Sequence, residues 1–123
     1  MNPEVRQRFE RVQALGETVC DAMLMEVHRN GLPVTMINPA LERAQFDLSR
    51  DPSDGNYSLI GIWRDAQGNR QGEILFHHDG SFYAEYDVIC EHPAKPQWFV
   101  EAVTAWGNGS KLRSELKLLP SIT

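Results

Sequence analysis

The side chains best suited to chemistry are concentrated between residues 73 and 87 of this 123-residue chain. His77, His78 and Asp79 are consecutive, and imidazole and carboxylate groups serve both as proton carriers and as metal ligands. Adjacent strand residues point to opposite faces of a sheet, so the two imidazoles do not readily bind one metal ion. We therefore expect polar residues at the tip of a hairpin, and we predict neither a metal site nor a catalytic residue.

Carboxylates and aromatic rings alternate along the two segments that flank this tip. Tyr83, Glu85 and Asp87 are spaced by two residues and share one face of a strand. In the register argued below, Glu73 lies opposite Glu85, and Leu75 lies opposite Tyr83. Facing carboxylates are unfavourable unless they are solvated or offset by a cation. The face is either solvated, with a cation of this chain nearby, or an acidic, aromatic-flanked patch that receives Lys or Arg from a partner. The candidate cations within the chain are Arg64, Arg70 and Lys117.

The preceding strand adds one more aromatic residue to this face. If Ile60 and Ile62 point inward, Leu59 and Trp63 point outward, and tryptophan is enriched at the hot spots of interfaces. Trp63 is then either covered by another segment or part of an interface. The predicted binding surface consists of Trp63, Glu73, Leu75, His77, Tyr83, Glu85 and Asp87.

Three consecutive antiparallel strands are expected to position these residues. Alternating apolar residues and turn residues rich in Gly, Asn and Asp indicate a meander over residues 58–90. The predicted strands are Ser58–Arg64, Gln71–His77 and Ser81–Cys90.

The turn after the second strand decides which face each residue occupies. A two-residue Asp79-Gly80 turn would bury His77, whereas a three-residue loop with Gly80 in the left-handed conformation buries Ile74 and Phe76. A slip of one residue exchanges the two faces of a strand, and each large apolar side chain contributes roughly 1.5–3 kcal/mol when buried. We therefore predict the three-residue loop. The predicted pairs are Phe76 with Phe82 and Ile74 with Ala84.

Two helices are predicted outside the meander. Asn2 is a suitable N-cap, Pro3 fits the first helical position, and apolar residues recur at helical spacing until Gly31 supplies a cap. A second helix is predicted near residues 96–106, with Trp98 and Trp106 on its apolar, core-facing side. Residues 111–118 alternate between charged and apolar side chains and fit a strand better than a helix. The structure of residues 32–57 is left open.

These elements predict one α+β domain over residues 1–123. An antiparallel sheet of four or five strands, with the meander at 58–90, is covered on one face by the long N-terminal helix and the second helix. The formal net charge of −5 and the absence of a basic stripe argue against nucleic-acid binding. The longest apolar run is too short to span a membrane. Cys20 and Cys90 form no metal-binding spacing, so we expect two reduced thiols in a cytoplasmic protein.

Nucleophile, phosphate-binding and zinc-protease motifs are absent from the sequence, and no cofactor is expected. The composition and the acidic face favour a small, non-enzymatic protein-interaction module, with a protein partner or a second copy of the chain as ligand. An inhibitor that caps a basic partner fits this description. A small-molecule-binding domain with a cavity between helix and sheet is the first alternative, and an enzyme with an unrecognised site is the second.

Overall fold

The computed structural model describes residues 1–121 and begins with one long helix, α1 (Pro3–Arg29). The side chain of Asn2 caps its first turn, because the Oδ1 atom accepts hydrogen bonds from the backbone N–H groups of Glu4 and Val5 at 2.8 and 3.2 Å. Gly31 follows the helix at φ 78°, a left-handed conformation that ends helices. The predicted start and end of the helix are confirmed.

The rest of the chain forms a six-stranded antiparallel sheet in which sequence neighbours are also spatial neighbours. Two short 3₁₀ turns, Val34–Met36 and Leu41–Arg43, connect the helix to the sheet. The α+β class is confirmed, and the number of strands is six instead of four or five. The strands are β1 (Gln45–Arg50), β2 (Tyr57–Arg64), β3 (Arg70–Phe76), β4 (Phe82–Glu91), β5 (Trp98–Asn108) and β6 (Lys111–Pro120).

The β3–β4 hairpin has the predicted register. Phe76 pairs with Phe82, and Glu73 lies directly opposite Glu85. The N–H of His77 donates to the carbonyl of Ser81 at 2.9 Å, which leaves residues 78–80 as the three-residue loop. Gly80 has φ 91°, so the left-handed residue of the loop is the predicted one. This register places Ile74, Phe76, Phe82 and Ala84 in the core.

The predicted second helix near residues 96–106 is wrong, because this segment is β5. Between Val100 and Ala102 the pairing with β6 shifts by one residue, so Val100 and Val103 both reach the core. A bulge of this kind replaces the two-residue period of a strand with a three-residue step, which resembles the spacing of a helix. Trp98 is accordingly 40 % exposed instead of packed in the core. The expected strand over 111–118 is confirmed as β6.

The predicted outward position of Trp63 is also wrong. The register of β2 on β3 pairs Leu59 with Phe76 and Trp63 with Gly72, which places both β2 residues on the face that α1 covers. Trp63 is fully buried, and its indole N–H donates to the carbonyl of Ala40 at 2.9 Å. Sequence alternation could not choose the face because both residue sets of this strand are apolar.

The second half of α1 is buried on more than one side. One side packs on the sheet through Val19, Met23 and Val27, which are completely buried. Ile37 and Leu41, from the segment that precedes β1, belong to the same buried cluster and cover part of the helix. The apolar breadth of this half of the helix is therefore explained within one chain.

The conformation of Gly80 gives a test of the register. Substitution Gly80→Val should lower the free energy of unfolding by about 1–3 kcal/mol, because a β-branched residue is strained at positive φ. No atom lies within 4 Å of a Cβ built at Gly80 or at Gly109. Of these two glycines, only Gly80 has positive φ. Gly109→Val is therefore the matched control, and urea titration is the measurement. Equal stability of the two variants would contradict the left-handed loop.

Candidate functional site: the open face of the sheet

The sheet presents its second face away from α1. Strand alternation and the observed register place six of the seven predicted site residues on it, His77 at its margin, and exclude Trp63. Within residues 1–121, α1 and the two 3₁₀ turns lie on the opposite side. We call this surface the open face. Its central residues are Ile60, Ile62, Glu73, Leu75, Tyr83, Glu85, Asp87, Thr104 and Trp106.

The opposed carboxylates Glu73 and Glu85 each have a partner within the chain. The guanidinium of Arg70 lies 2.9 Å from Glu73 Oε1, and the hydroxyl of Tyr83 donates to Glu85 Oε2 at 2.6 Å. Burial, the hydrogen bond to Glu85 and the nearby carboxylates raise the pKa of Tyr83, which keeps the phenol protonated as a donor. The two carboxylates are thereby held in place, and their mutual repulsion is reduced by Arg70.

Asp87 is the least compensated carboxylate of the open face. Burial raises the pKa of its carboxyl, and the charges of Glu85 and Glu101 raise it further, whereas Arg70 opposes the shift. A raised carboxyl pKa means that ionised Asp87 is held less favourably in the folded chain than in water. A cation from outside the chain would relieve this cost.

Trp106 is a site residue that sequence analysis missed, since it was assigned to the core side of a helix. The register of β4 on β5 places Trp106 directly beside Tyr83, and Thr104 beside Glu85. Thr104 in turn pairs with Glu115 of β6. The alternation of charged residues in β6 was the available signal, because it identified Glu115 as outward-facing. A strand paired with β6 would then have its outward-facing residues fixed by that register.

These cross-strand pairs surround a depression of about 390 Å³. Tyr83 and Trp106 form an aromatic wall, Thr104 forms the floor, and Glu115 and Lys117 lie on the β6 side. We call this depression the Thr104 cleft. The ammonium of Lys117 is 3.8 Å from Glu101, and both side chains are largely solvated, so this ion pair is weak. The cleft therefore combines two aromatic residues with the exposed carboxylate of Glu115, and Lys117 is the cation of this chain that lies beside it.

His77 contributes to the margin of the open face and not to its centre. It follows β3 directly, and its Nδ1 atom lies 3.0 Å from the hydroxyl of Ser58. Residues 1–121 contain no group of three or more His, Cys, Asp or Glu side chains arranged to hold a metal ion. The open face thus brings together the predicted carboxylates, Leu75 and Tyr83, and its tryptophan is Trp106 on β5 instead of Trp63 on β2.

A separate groove of about 400 Å³ lies between the second half of α1 and residues 37–42. Its lining includes the acidic side chains of Glu17, Asp21 and Glu42 and the buried thiol of Cys20. Burial and these carboxylates raise the pKa of the Cys20 thiol to about 12. The groove is bounded by the helix and the loop that precedes β1, instead of by helix and sheet.

Comparisons with protein-family models, curated proteins and solved structures gave no match for this chain. In the described part of the chain, no helix has the length and apolar character needed to cross a membrane. Function must therefore be inferred from the residues of the open face and their geometry.

The raised pKa of Asp87 predicts a pH-dependent stability. The folded state binds this proton more tightly than the unfolded chain, so the stabilising contribution is present below the ordinary pKa of 3.8 and is lost as the pH rises through the folded pKa. Asp87→Asn should therefore raise the free energy of unfolding at about pH 7, with the gain shrinking towards about pH 3. Urea titrations at both pH values measure it.

The matched control for this experiment is Asp47→Asn. Asp47 is exposed on the edge strand β1. Its substitution by Asn removes the same charge as Asp87→Asn. An equal gain in the free energy of unfolding in both variants would show that the effect comes from the change in net charge. Loss of stability in Asp87→Asn at neutral pH would contradict the burial of an uncompensated carboxylate.

The two cysteines give a test of packing around α1. Cys20 and Cys90 are free in the structure, as the sequence predicts, so thiol titration of unfolded, non-reduced protein should find two free groups.

In the folded protein, the half-buried Cys90 should be alkylated before Cys20, because Cys20 is buried and the pKa of its thiol is about 12. Mass spectrometry after timed alkylation measures the order. Modification of Cys20 first would show that the helix and residues 37–42 separate readily.

Proposed function

We propose that this protein is a non-enzymatic interaction module whose open face binds a protein partner. One observation carries the proposal: the half-buried apolar, aromatic and acidic side chains of the open face have no covering element within residues 1–121. Exposed surfaces that combine apolar groups with a polar rim are typical of binding sites. A cytoplasmic setting belongs to the same proposal and is supported by the two unpaired thiols.

The chemistry of the Thr104 cleft favours a partner with an exposed lysine or arginine. Glu85 and Glu115 lie on the strands to either side of Thr104, in direct register with it. A cationic group seated above Thr104 would contact the ring faces of Tyr83 and Trp106 and approach both carboxylates. Cation–π contacts contribute about 0.5–2 kcal/mol, and charge-assisted hydrogen bonds are stronger than neutral ones.

Burial of the open face by a second copy of the chain is the alternative within the same class. A two-fold interface places the same patch of both chains together, so the Glu73, Glu85 and Asp87 carboxylates near its centre would approach one another. The second copy would bring its own Arg70 and Lys117, but these cations already lie next to Glu73 and Glu101 of the same chain. A basic partner is therefore favoured over self-association.

A photo-crosslinking amino acid placed at Leu75 tests the proposal in cells that express the protein. Leu75 is on the open face beside Tyr83, so we expect a discrete adduct with one partner. The matched position is Met25, which is 64 % exposed on α1 and lies on the other side of the molecule. An adduct at twice the 14.0 kDa mass identifies a homodimer, and any other discrete mass identifies a partner.

Charge variants then test the chemistry of the contact. The double substitution Glu85→Gln, Glu115→Gln should reduce the yield of the Leu75 adduct by about tenfold, because charge-assisted contacts to the partner's cation are lost. The control is Glu10→Gln, Glu17→Gln, which removes the same charge from exposed positions on α1, on the other side of the sheet. Equal adducts from Leu75 and Met25, or equal effects of the two double substitutions, would contradict the proposed site.

A further inference from the structure

A third pocket, which is positively charged, lies where the first part of α1 passes the ends of β2 and β3. It has a volume of about 240 Å³, and its polar lining comes from Arg8, Arg11, Tyr57, His77 and His78. None of its lining residues is acidic, although the chain has a formal net charge of −5. The pocket is therefore a local exception to the charge of the protein.

Both arginines are available to bind an anion. Arg8 lies 3.8 Å from Glu4, and because both side chains are substantially solvated this pair contributes little. The Arg8 guanidinium is also 5.9 Å from the centroid of the Tyr57 ring, and this cation–π contact positions it at the pocket. Among residues 1–121, Arg11 forms no ion pair. The two guanidinium groups are three residues apart on one side of the helix.

The floor of the pocket is apolar and is formed by Val12, Leu59 and Phe76. An apolar wall lowers the local dielectric constant, so that a charge placed against it interacts more strongly with the arginines than it would in water. Leu59 and Phe76 are buried members of the core. The pocket is thus backed by rigid structure.

The two histidines at the rim are each held through one ring nitrogen. His77 Nδ1 lies 3.0 Å from the Ser58 hydroxyl, and His78 Nε2 lies 3.2 Å from the Asn56 side-chain amide. The remaining ring nitrogen of each histidine is left for other contacts. Asp51 and Asp79 lie near these histidines, and hydrogen bonds from Ser53 and Ser81 hold the pKa of both carboxyls below the ordinary value, so both are ionised. The positive charge that attracts an anion must therefore come from Arg8 and Arg11.

We propose that this pocket binds the phosphate group of a phosphate monoester. Its volume is below the roughly 300–1,000 Å³ of sites for whole drug-sized ligands, which fits a single anionic group. Guanidinium forks bind phosphate oxygens in pairs, and two arginines match a group with two negative charges better than a carboxylate with one. The phosphate can belong to a small metabolite or to a phosphorylated side chain. The proposal does not depend on the function of the open face.

Titration followed by NMR of the backbone amides tests the proposal on the complete chain. The probes are inorganic phosphate, phenyl phosphate and a short phosphoserine peptide, with the unphosphorylated peptide as reference. We expect saturable shifts at residues 8–12, 57–59 and 76–78. Arg11→Gln should weaken binding by about tenfold, since one charge-assisted contact is lost. Arg6→Gln is the matched control, because Arg6 is exposed on the same helix and does not line the pocket.

The probes also distinguish the two sources of the phosphate. Tighter binding of phenyl phosphate than of the phosphopeptide indicates a small ligand, and the reverse order indicates a phosphorylated protein. Absence of saturable shifts with all three probes would overturn the proposal. Equal weakening by Arg6→Gln and Arg11→Gln would also overturn it, because general attraction to a basic helix would then account for the binding.

Discussion

The structure depends on one geometric constraint: a sheet has two faces, and residues 1–121 supply only one long helix to cover them. α1 buries Val19, Met23 and Val27 in the same cluster as Trp63 and Ile74 from the sheet. The opposite face is sheltered only by the side chains of neighbouring strands. This explains why its central residues, except the buried Thr104, are half-buried, and why Asp87 is desolvated enough for its pKa to rise although no helix packs above it. The strands hold the side chains of this surface in fixed positions, which is the basis for proposing that it binds a partner.

The sequence predicted the fold correctly where one of two possible registers buried clearly less favourable side chains. The β3–β4 register follows from burying Ile74 and Phe76 instead of His77, and the structure has that register. The face of Trp63 could not be predicted in this way, because Ile60 and Ile62 were equally good core residues. Gly61 and Gly72 are buried on the same face of the sheet as Trp63. A Cβ at Gly72 would lie 2.5 Å from the Glu85 carbonyl, and a Cβ at Gly61 would lie 2.6 Å from the Phe46 ring, so this face is crowded at both positions. Two glycines within strands indicate close approach of neighbours, and this was the unused signal.

The candidate site was predictable in its acidic half and not in its aromatic half. Glu73, Glu85, Asp87 and Tyr83 lie on strands whose alternation is regular, so their common face followed from spacing. Trp106 lies beyond the bulge at Val100–Ala102, where an extra residue changes the phase of β5. From sequence, the apolar residues before and after this point fit one helical stripe, because nothing local identifies the bulge. The error therefore has a single cause, and correcting it supplies the aromatic partner of Tyr83.

The open face and the arginine-lined pocket share His77 but are otherwise separate, because strand residues alternate between faces. Along β3, Leu75 points to the open face, whereas its neighbour Phe76 forms the floor of the pocket on the helix side. Substitutions of Glu85 or Trp106 therefore alter one site without touching the residues that line the other. The two proposed sites have opposite charge, so an increase in salt concentration would weaken binding at both, whereas the sign of the ligand's charge would select between them. For a chain with a net charge of −5, the general field favours cations, and anion binding at the pocket requires the local arrangement of Arg8 and Arg11.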